Sequence, residues 1–140
     1  MDNIPGNGLT IEQVCSLLEG KMVCGEDNAD KYVSTACGCD LMSDALAFTK
    51  PGSVLLTGLT NSQVVRTAEM LDLKAIVFVR SKCPDEQTIG LAKSMGLTII
   101  LSPLPLYESC GRLYKAGLSG CLENMCANDS HTAEMIGGHE

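Results

Sequence analysis

Short apolar runs alternate with amphipathic patterns through the middle of the chain. The runs are Val54–Thr57, Ala75–Val79 and Leu97–Leu101, and each contains β-branched side chains. Continuous apolar runs of this kind are typical of strands that are buried on both faces. Two helical patterns separate them, and this strand–helix–strand–helix–strand order predicts a parallel sheet with right-handed crossovers.

Both helical patterns carry recognisable start signals. Thr60 and Gln63 have the spacing of a capping box at the start of the first pattern. Pro84 stands where the first residue of the second helix would lie, and Gly96 follows its last apolar residue. We therefore expect one helix after each of the first two strands.

Shorter patterns flank this central unit and predict further elements. Before it lie a helix over Leu9–Leu18, strands over Lys21–Gly25 and Tyr32–Cys39, and a helix over Asp40–Thr49 with Asp40 as its cap. Thr10 and Gln13 give the first of these helices a capping box. The last helix, Leu106–Leu118, has an apolar side made of Leu106, Cys110, Leu113, Tyr114 and Gly117.

These elements predict a three-layer α/β domain with a central, mostly parallel sheet over residues 9–118. Residues 1–8 form a polar lead. Residues 119–140 have four acidic residues, no Lys or Arg, and both histidines of the chain. We expect this acidic segment to be a flexible tail.

The carboxyl ends of the parallel strands are where an α/β sheet binds ligands. Gly58, Thr60, Asn61 and Ser62 follow the first central strand and lead into a helix N-terminus, which attracts anions. Arg80 and Lys82 follow the second strand and add two cations. A small anionic ligand is the functional hypothesis for these six residues. The alternative is that they make a turn, a helix cap and a solvated surface, since neither glycine-rich phosphate fingerprint is present.

Charge and hydropathy exclude several classes of function. The net charge of −7 argues against nucleic-acid binding and against anionic membrane surfaces. No apolar run approaches the roughly 18 residues of a membrane span. The first residues also lack a basic region followed by an apolar core, so we expect a cytoplasmic protein without a secretory signal.

Eight cysteines are unusual for such a protein. In a reducing compartment they are buried thiols, metal ligands or redox groups more often than disulfides. Cys37 and Cys39 would project from the same face of one strand, and Cys121 and Cys126 lie in the tail beside His131 and His139. The tail spacing matches no standard zinc module, so Cys37, Cys39, Cys121 and Cys126 are only an alternative set for zinc or an Fe–S cluster.

The segment from Asp40 to Leu118 resembles the DRTGG domain family. The resemblance is carried by DLMSDALAFTKPGSVLLTGLTNSQVVRTAEMLDLKAIVFVR and CPDEQTIGLAKSMGLTIILSPLPLYESCGRLYKAGL, and it extends over about residues 9–118. It is strongest to small stand-alone members from anaerobic bacteria that are often encoded near [FeFe]-hydrogenase components. Where related domains have a threonine–glycine–glycine turn, this chain has Val79-Arg80-Ser81.

The resemblance implies a fold similar to the N-terminal domain of HPr kinase/phosphorylase and a regulatory or dimerising module. It implies a homodimer, a protein partner in a hydrogenase or redox system, and possible sensing of a nucleotide-like anion. The alternative function is a Cys-ligated metal or Fe–S carrier or redox sensor. An enzyme is disfavoured because no nucleophile has an adjacent base and no metal motif is complete.

Overall fold

The computed structural model describes residues 8–121, in which helices cover both faces of a six-stranded sheet. The strands are β1 (Leu9–Thr10), β2 (Lys21–Cys24), β3 (Tyr32–Val33), β4 (Thr35–Gly38), β5 (Val54–Thr57), β6 (Ala75–Phe78), β7 (Thr98–Leu101) and β8 (Ser119–Gly120). The helices are α1 (Ile11–Leu17), α2 (Met42–Phe48), α3 (Ser62–Met70), α4 (Glu86–Ser94) and α5 (Leu106–Lys115), with a 3₁₀ turn at Glu26–Asn28.

The large sheet is mostly parallel. Its strand order is β2-β7-β6-β5-β4-β8, and β2 pairs antiparallel with β7 while the other pairs are parallel. The predicted three-layer α/β fold is therefore confirmed. Because β4, β5, β6 and β7 run in the same direction, their carboxyl ends lie along one edge.

Alternating side chains of the strands divide the core into two layers. Val54 and Leu56 of β5 pack with residues of α1 and α5, whereas Leu55 packs with residues of α2, α3 and α4. All four residues of β5 are buried. This two-sided burial explains why the central strands read as continuous apolar runs.

The predicted strand Tyr32–Cys39 is two strands in two different sheets. Tyr32–Val33 pairs antiparallel with Leu9–Thr10, and Thr35–Gly38 pairs with β5 and β8 in the main sheet. The exposed Ser34 is the point where the chain passes from one sheet to the other. A local β pattern cannot show that change, because it depends on distant pairing partners.

Three predicted helix starts are also wrong. The N-cap of α2 is Leu41 rather than Asp40, and that of α3 is Asn61 rather than Thr60. Helix α4 begins after Asp85, whose carboxylate accepts the Thr88 N–H at 2.8 Å, so Pro84 lies before the helix. By contrast, Thr10 and Gln13 form the predicted capping box of α1.

The described structure continues beyond residue 118. Ser119–Gly120, which we placed in the tail, form the edge strand β8. The lead residues 1–7 and the remaining tail residues, with Cys126, His131 and His139, lie outside the described residues. Tyr114, predicted on the buried side of the last helix, is 69% exposed.

Candidate functional site

Two neighbouring loops carry the six predicted ligand residues. Gly58, Thr60 and Asn61 lie between β5 and α3, with Ser62 as the first residue of that helix. Arg80 and Lys82 follow β6, which pairs with β5 up to Thr57 and Phe78. The structure therefore brings both loops to the same edge of the sheet, as the sequence predicts.

Asp40 is a residue of this edge that sequence reasoning placed in a different role. Its Oδ1 accepts the Thr57 hydroxyl at 2.9 Å and the Gly58 N–H at 2.8 Å. The Thr57 hydroxyl oxygen in turn accepts the Leu59 N–H at 3.2 Å. The Gly58 N–H is thus used inside the protein, and Asp40 fixes the turn that leads to α3.

The contact of Asp40 with Gly58 follows from the register of the β4–β5 pair. Gly38 stands opposite Leu56 in the β4–β5 pair, so Asp40 reaches the level of Gly58 two residues later. Sequence spacing alone assigns the carboxylate to the helix that follows it, because capping is the common local role of Asp.

The first turn of α3 has no side-chain cap. Asn61 is the N-cap residue, yet its side chain makes no capping hydrogen bond. In α1 and α4, by contrast, the side chains of Thr10 and Asp85 accept backbone N–H groups. An uncapped helix start directs N–H groups and a partial positive charge at whatever lies beyond it.

The loop after β6 has an uncommon backbone. Arg80 and Ser81 are consecutive residues with φ of 63° and 58°, in the left-handed region that favours glycine. Two hydrogen bonds hold them there, from the Arg80 N–H to the Leu104 carbonyl at 2.9 Å and from the Ser81 N–H to the Ser102 carbonyl at 2.8 Å. Both residues carry a Cβ, so this left-handed turn is a strained part of the loop.

The structure places the candidate metal residues unevenly. Cys37 lies in β4, half-buried, and both it and Cys39 pack against the layer of α2, α3 and α4, so the predicted common face is correct. The Cys39 thiol donates to the Leu41 carbonyl at 3.0 Å. The Cys121 sulfur accepts the Lys50 N–H at 3.2 Å and lies 3.8 Å from the Ser53 hydroxyl.

Cys37 and Cys121 both lie against the segment that follows α2, from Thr49 to Ser53. Burial raises the pKa of the Cys37 thiol, while the neighbouring Thr49 hydroxyl lowers it and the nearby Cys121 raises it further. The buried Thr49 hydroxyl has no partner within hydrogen-bonding distance in the described part of the chain, so its relation to Cys37 is a polar contact rather than a regular hydrogen bond. Between residues 8 and 121, no three His, Cys, Asp or Glu side chains form a cluster suited to a metal ion.

A groove of about 560 Å³ runs beside α5, on the face of the sheet opposite to α2, α3 and α4. Small and aliphatic residues of the sheet, Ala36, Gly38 and Leu56, line it on one side. Two tyrosines of α5 also line it, with Tyr107 86% and Tyr114 69% exposed. Exposed aromatic side chains next to an apolar groove are typical of an interaction surface.

Within residues 8–121, none of the helices has the length and apolar character needed to cross a bilayer.

Comparison with known proteins identifies a structural neighbour. No protein-family profile and no curated protein sequence matches the chain. The fold is similar to the crystal structure of the CBS and DRTGG domains of the regulatory region of Clostridium perfringens pyrophosphatase, complexed with its activator diadenosine tetraphosphate. The TM-score is 0.64 at 13% sequence identity, over 78% of this chain and 47% of that one. The chain therefore spans about half of that regulatory region and shares a CBS/DRTGG-like fold with it.

Proposed function

We propose that the chain is a non-catalytic regulatory or protein-interaction module that senses a nucleotide-like anion at the carboxyl edge of its sheet. The observation that carries this proposal is the uncapped start of α3 after β5, together with two exposed cations, Arg80 and Lys82, after the neighbouring strand β6. A phosphate group would accept hydrogen bonds from the free N–H groups at the start of α3 and form ion pairs with these cations.

Asp40 adds a constraint on the ligand. Its carboxylate is exposed, and only Oδ1 is engaged by Thr57 and Gly58. A negative charge beside Gly58 repels a phosphate there, whereas Oδ2 is suited to accept a hydroxyl group. A ligand with phosphate at one end and ribose hydroxyls at the other meets both requirements. The nucleotide activator of the structural neighbour supports this class of ligand.

Nucleotide binding is tested by calorimetry and thermal shift with ATP, ADP and inorganic phosphate. We expect binding of the nucleotides to the whole chain and a several-fold loss of affinity in Arg80→Asn and Lys82→Ala. Asn is chosen at position 80 because it tolerates the left-handed backbone. Lys93→Ala, which removes an exposed cation from α4, is the matched control and should bind normally. The absence of any shift at millimolar nucleotide would contradict the proposal.

A homodimer formed through α5 is the second part of this proposal. Two surfaces are candidates, and the groove beside α5 with its two exposed tyrosines makes this one the better of them. The other surface, Asp40–Phe48, exposes Leu41 and Phe48. Sedimentation velocity of the wild type and two variants distinguishes the surfaces. Tyr107→Ser should be monomeric, whereas Phe48→Ser should remain dimeric like the wild type.

The resemblance to stand-alone domains of anaerobes supports a protein partner in a hydrogenase or redox system. Pull-down from an anaerobic lysate, with Tyr107→Ser as the control bait, tests that assignment. Recovery of the same proteins by both baits would mean that the α5 surface does not bind the partner.

A Cys-ligated metal or Fe–S carrier is the alternative function. The described residues supply two converging thiols, Cys37 and Cys121, fewer than the four that such centres use. Cys39 donates to a carbonyl, and Cys126 lies outside the described residues. Metal analysis and a UV–visible spectrum of anaerobically purified protein test this alternative, since stoichiometric iron or zinc would favour it.

A further inference from the structure

Cys37 and Cys121 are placed as a pair by the edge of the sheet. β4 and β8 are parallel, with Thr35 opposite Ser119 and Ala36 opposite Gly120. Continuing the register by one residue sets Cys121 opposite Cys37. Neighbouring strands are about 4.8 Å apart, which lies within the Cα separations of about 4.4–6.8 Å that disulfides span.

Independent contacts place both sulfurs on one side of the sheet. Cys37 packs in the layer of α2, and its thiol lies beside the Thr49 hydroxyl. The Cys121 sulfur accepts the N–H of Lys50, the next residue along the chain. The end of α2 therefore lies against both thiols.

The other cysteines near this pair are less well placed. Cys39 turns its thiol to the Leu41 carbonyl. Cys110 packs in the opposite layer, against Gly38, where an added Cβ would meet its sulfur. All seven cysteines of residues 8–121 are free thiols in this structure.

We propose that Cys37 and Cys121 form a redox-responsive disulfide that fastens β8 to the sheet. The oxidant is a low-molecular-weight disulfide. The half-buried Cys37 thiolate attacks one of its sulfurs and releases the first thiolate, and the more buried Cys121 thiolate then attacks the Cys37 sulfur and releases the second. The chain loses two protons and two electrons, and the small disulfide becomes two thiols.

The disulfide would affect the attachment of β8 at the end of the domain. β8 is two residues long and is held by its pairing with β4, a Ser119 N–H bond to the Ser34 carbonyl and the Cys121 contact. A disulfide would make this attachment covalent at the residue from which residues 122–140 depart. The inference stands apart from nucleotide binding, because it uses none of the ligand residues, and from the dimer surface, because it lies on the opposite side of the sheet from α5.

The test uses the full chain in a Cys39→Ser/Cys126→Ser background. Trypsin then releases Cys37 and Cys121 as the only cysteines of two separate peptides, residues 32–66 and 116–140. After equilibration with oxidised glutathione we expect these peptides to be linked, which removes the free thiols of Cys37 and Cys121, while Cys83 loses its thiol to glutathione. Deuterium exchange of the β8 amides should slow in the oxidised form.

Three further variants make the outcome decisive. Cys37→Ser and Cys121→Ser should abolish the linked peptide, whereas Cys110→Ser should leave it unchanged. The exposed Cys83 reports that the reagent is active, because it should acquire glutathione in every variant. Modified Cys83 with Cys37 and Cys121 still unlinked, or a mixed disulfide on Cys37 that never closes, would overturn the proposal.

Discussion

Removing the Asp40 carboxylate should destabilise the protein although the residue is exposed. Asp40 accepts two hydrogen bonds, and one donor, the Thr57 hydroxyl, belongs to a residue with no exposed surface. In Asp40→Ala the Thr57 hydroxyl still accepts the Leu59 N–H but loses the acceptor for its own hydrogen, which costs about 1–3 kcal/mol for a buried donor. The Gly58 N–H is partly accessible, so water replaces much of the second bond.

We therefore expect the free energy of unfolding to fall by about 2 kcal/mol in Asp40→Ala. Asp40→Asn keeps an oxygen acceptor and loses only the charge, so its loss should be about 1 kcal/mol. With a urea m-value of about 2 kcal/mol/M, the first change lowers the denaturation midpoint by about 1 M.

The assay is urea unfolding followed by circular dichroism. Asp44→Ala is the matched control, because Asp44 is also an exposed aspartate near the start of α2 and its side chain makes no hydrogen bond among the described residues. Its change should stay within about 0.5 kcal/mol. If Asp40→Ala behaves like Asp44→Ala, Asp40 does not hold the β5–α3 turn in solution and the argument for its role in the site fails.

Three other variants test the strained loop, a buried thiol and a tight turn. Ser81→Gly should raise the free energy of unfolding by about 1 kcal/mol, because glycine adopts the left-handed conformation without strain. The control Ser34→Gly should lower it by about 0.5–1 kcal/mol, and urea unfolding measures both changes. Burial raises the pKa of the Cys24 thiol above its ordinary 9.0. The unfolded chain releases this proton first, so stability should fall as the pH rises past 9, and the fall should be shallower in Cys24→Ala. Gly25→Ala should cost about 3 kcal/mol, because φ is +78° and the new Cβ would lie 2.5 Å from the Thr98 Cα; a loss below about 1 kcal/mol would contradict this reading.

The central strands were predictable because strands buried on both faces are continuous apolar runs in the sequence. Val54–Thr57 has the bounds that the sequence predicts, and the next strand differs only in ending at Phe78. The reason for that end is the left-handed backbone that begins at Arg80, which no residue type in the sequence signals. Apolar periodicity reports which faces are buried, but it does not report where a loop bends.

The capping boxes show why local motifs reach only part of the site. Thr10 with Gln13 and Thr60 with Gln63 have the same spacing, yet only the first pair forms the box. In the second case the helix begins one residue later than the motif requires, at Ser62. The path of the β5–α3 loop, which Asp40 fixes from the loop after the neighbouring strand β4, decides that start.

Three of the sequence predictions that fail lie at one place in the fold. The mispredicted helix starts at Asp40, Thr60 and Pro84 all belong to loops at the carboxyl ends of β4, β5 and β6. Local rules fail preferentially at functional or strained sites, because elsewhere each local preference agrees with the fold. At this edge an uncapped helix and two left-handed residues lower the stability that glycine and a capping side chain would provide. This coincidence favours the carboxyl edge as the site of function, and it is independent of the positive charges from which the ligand hypothesis began.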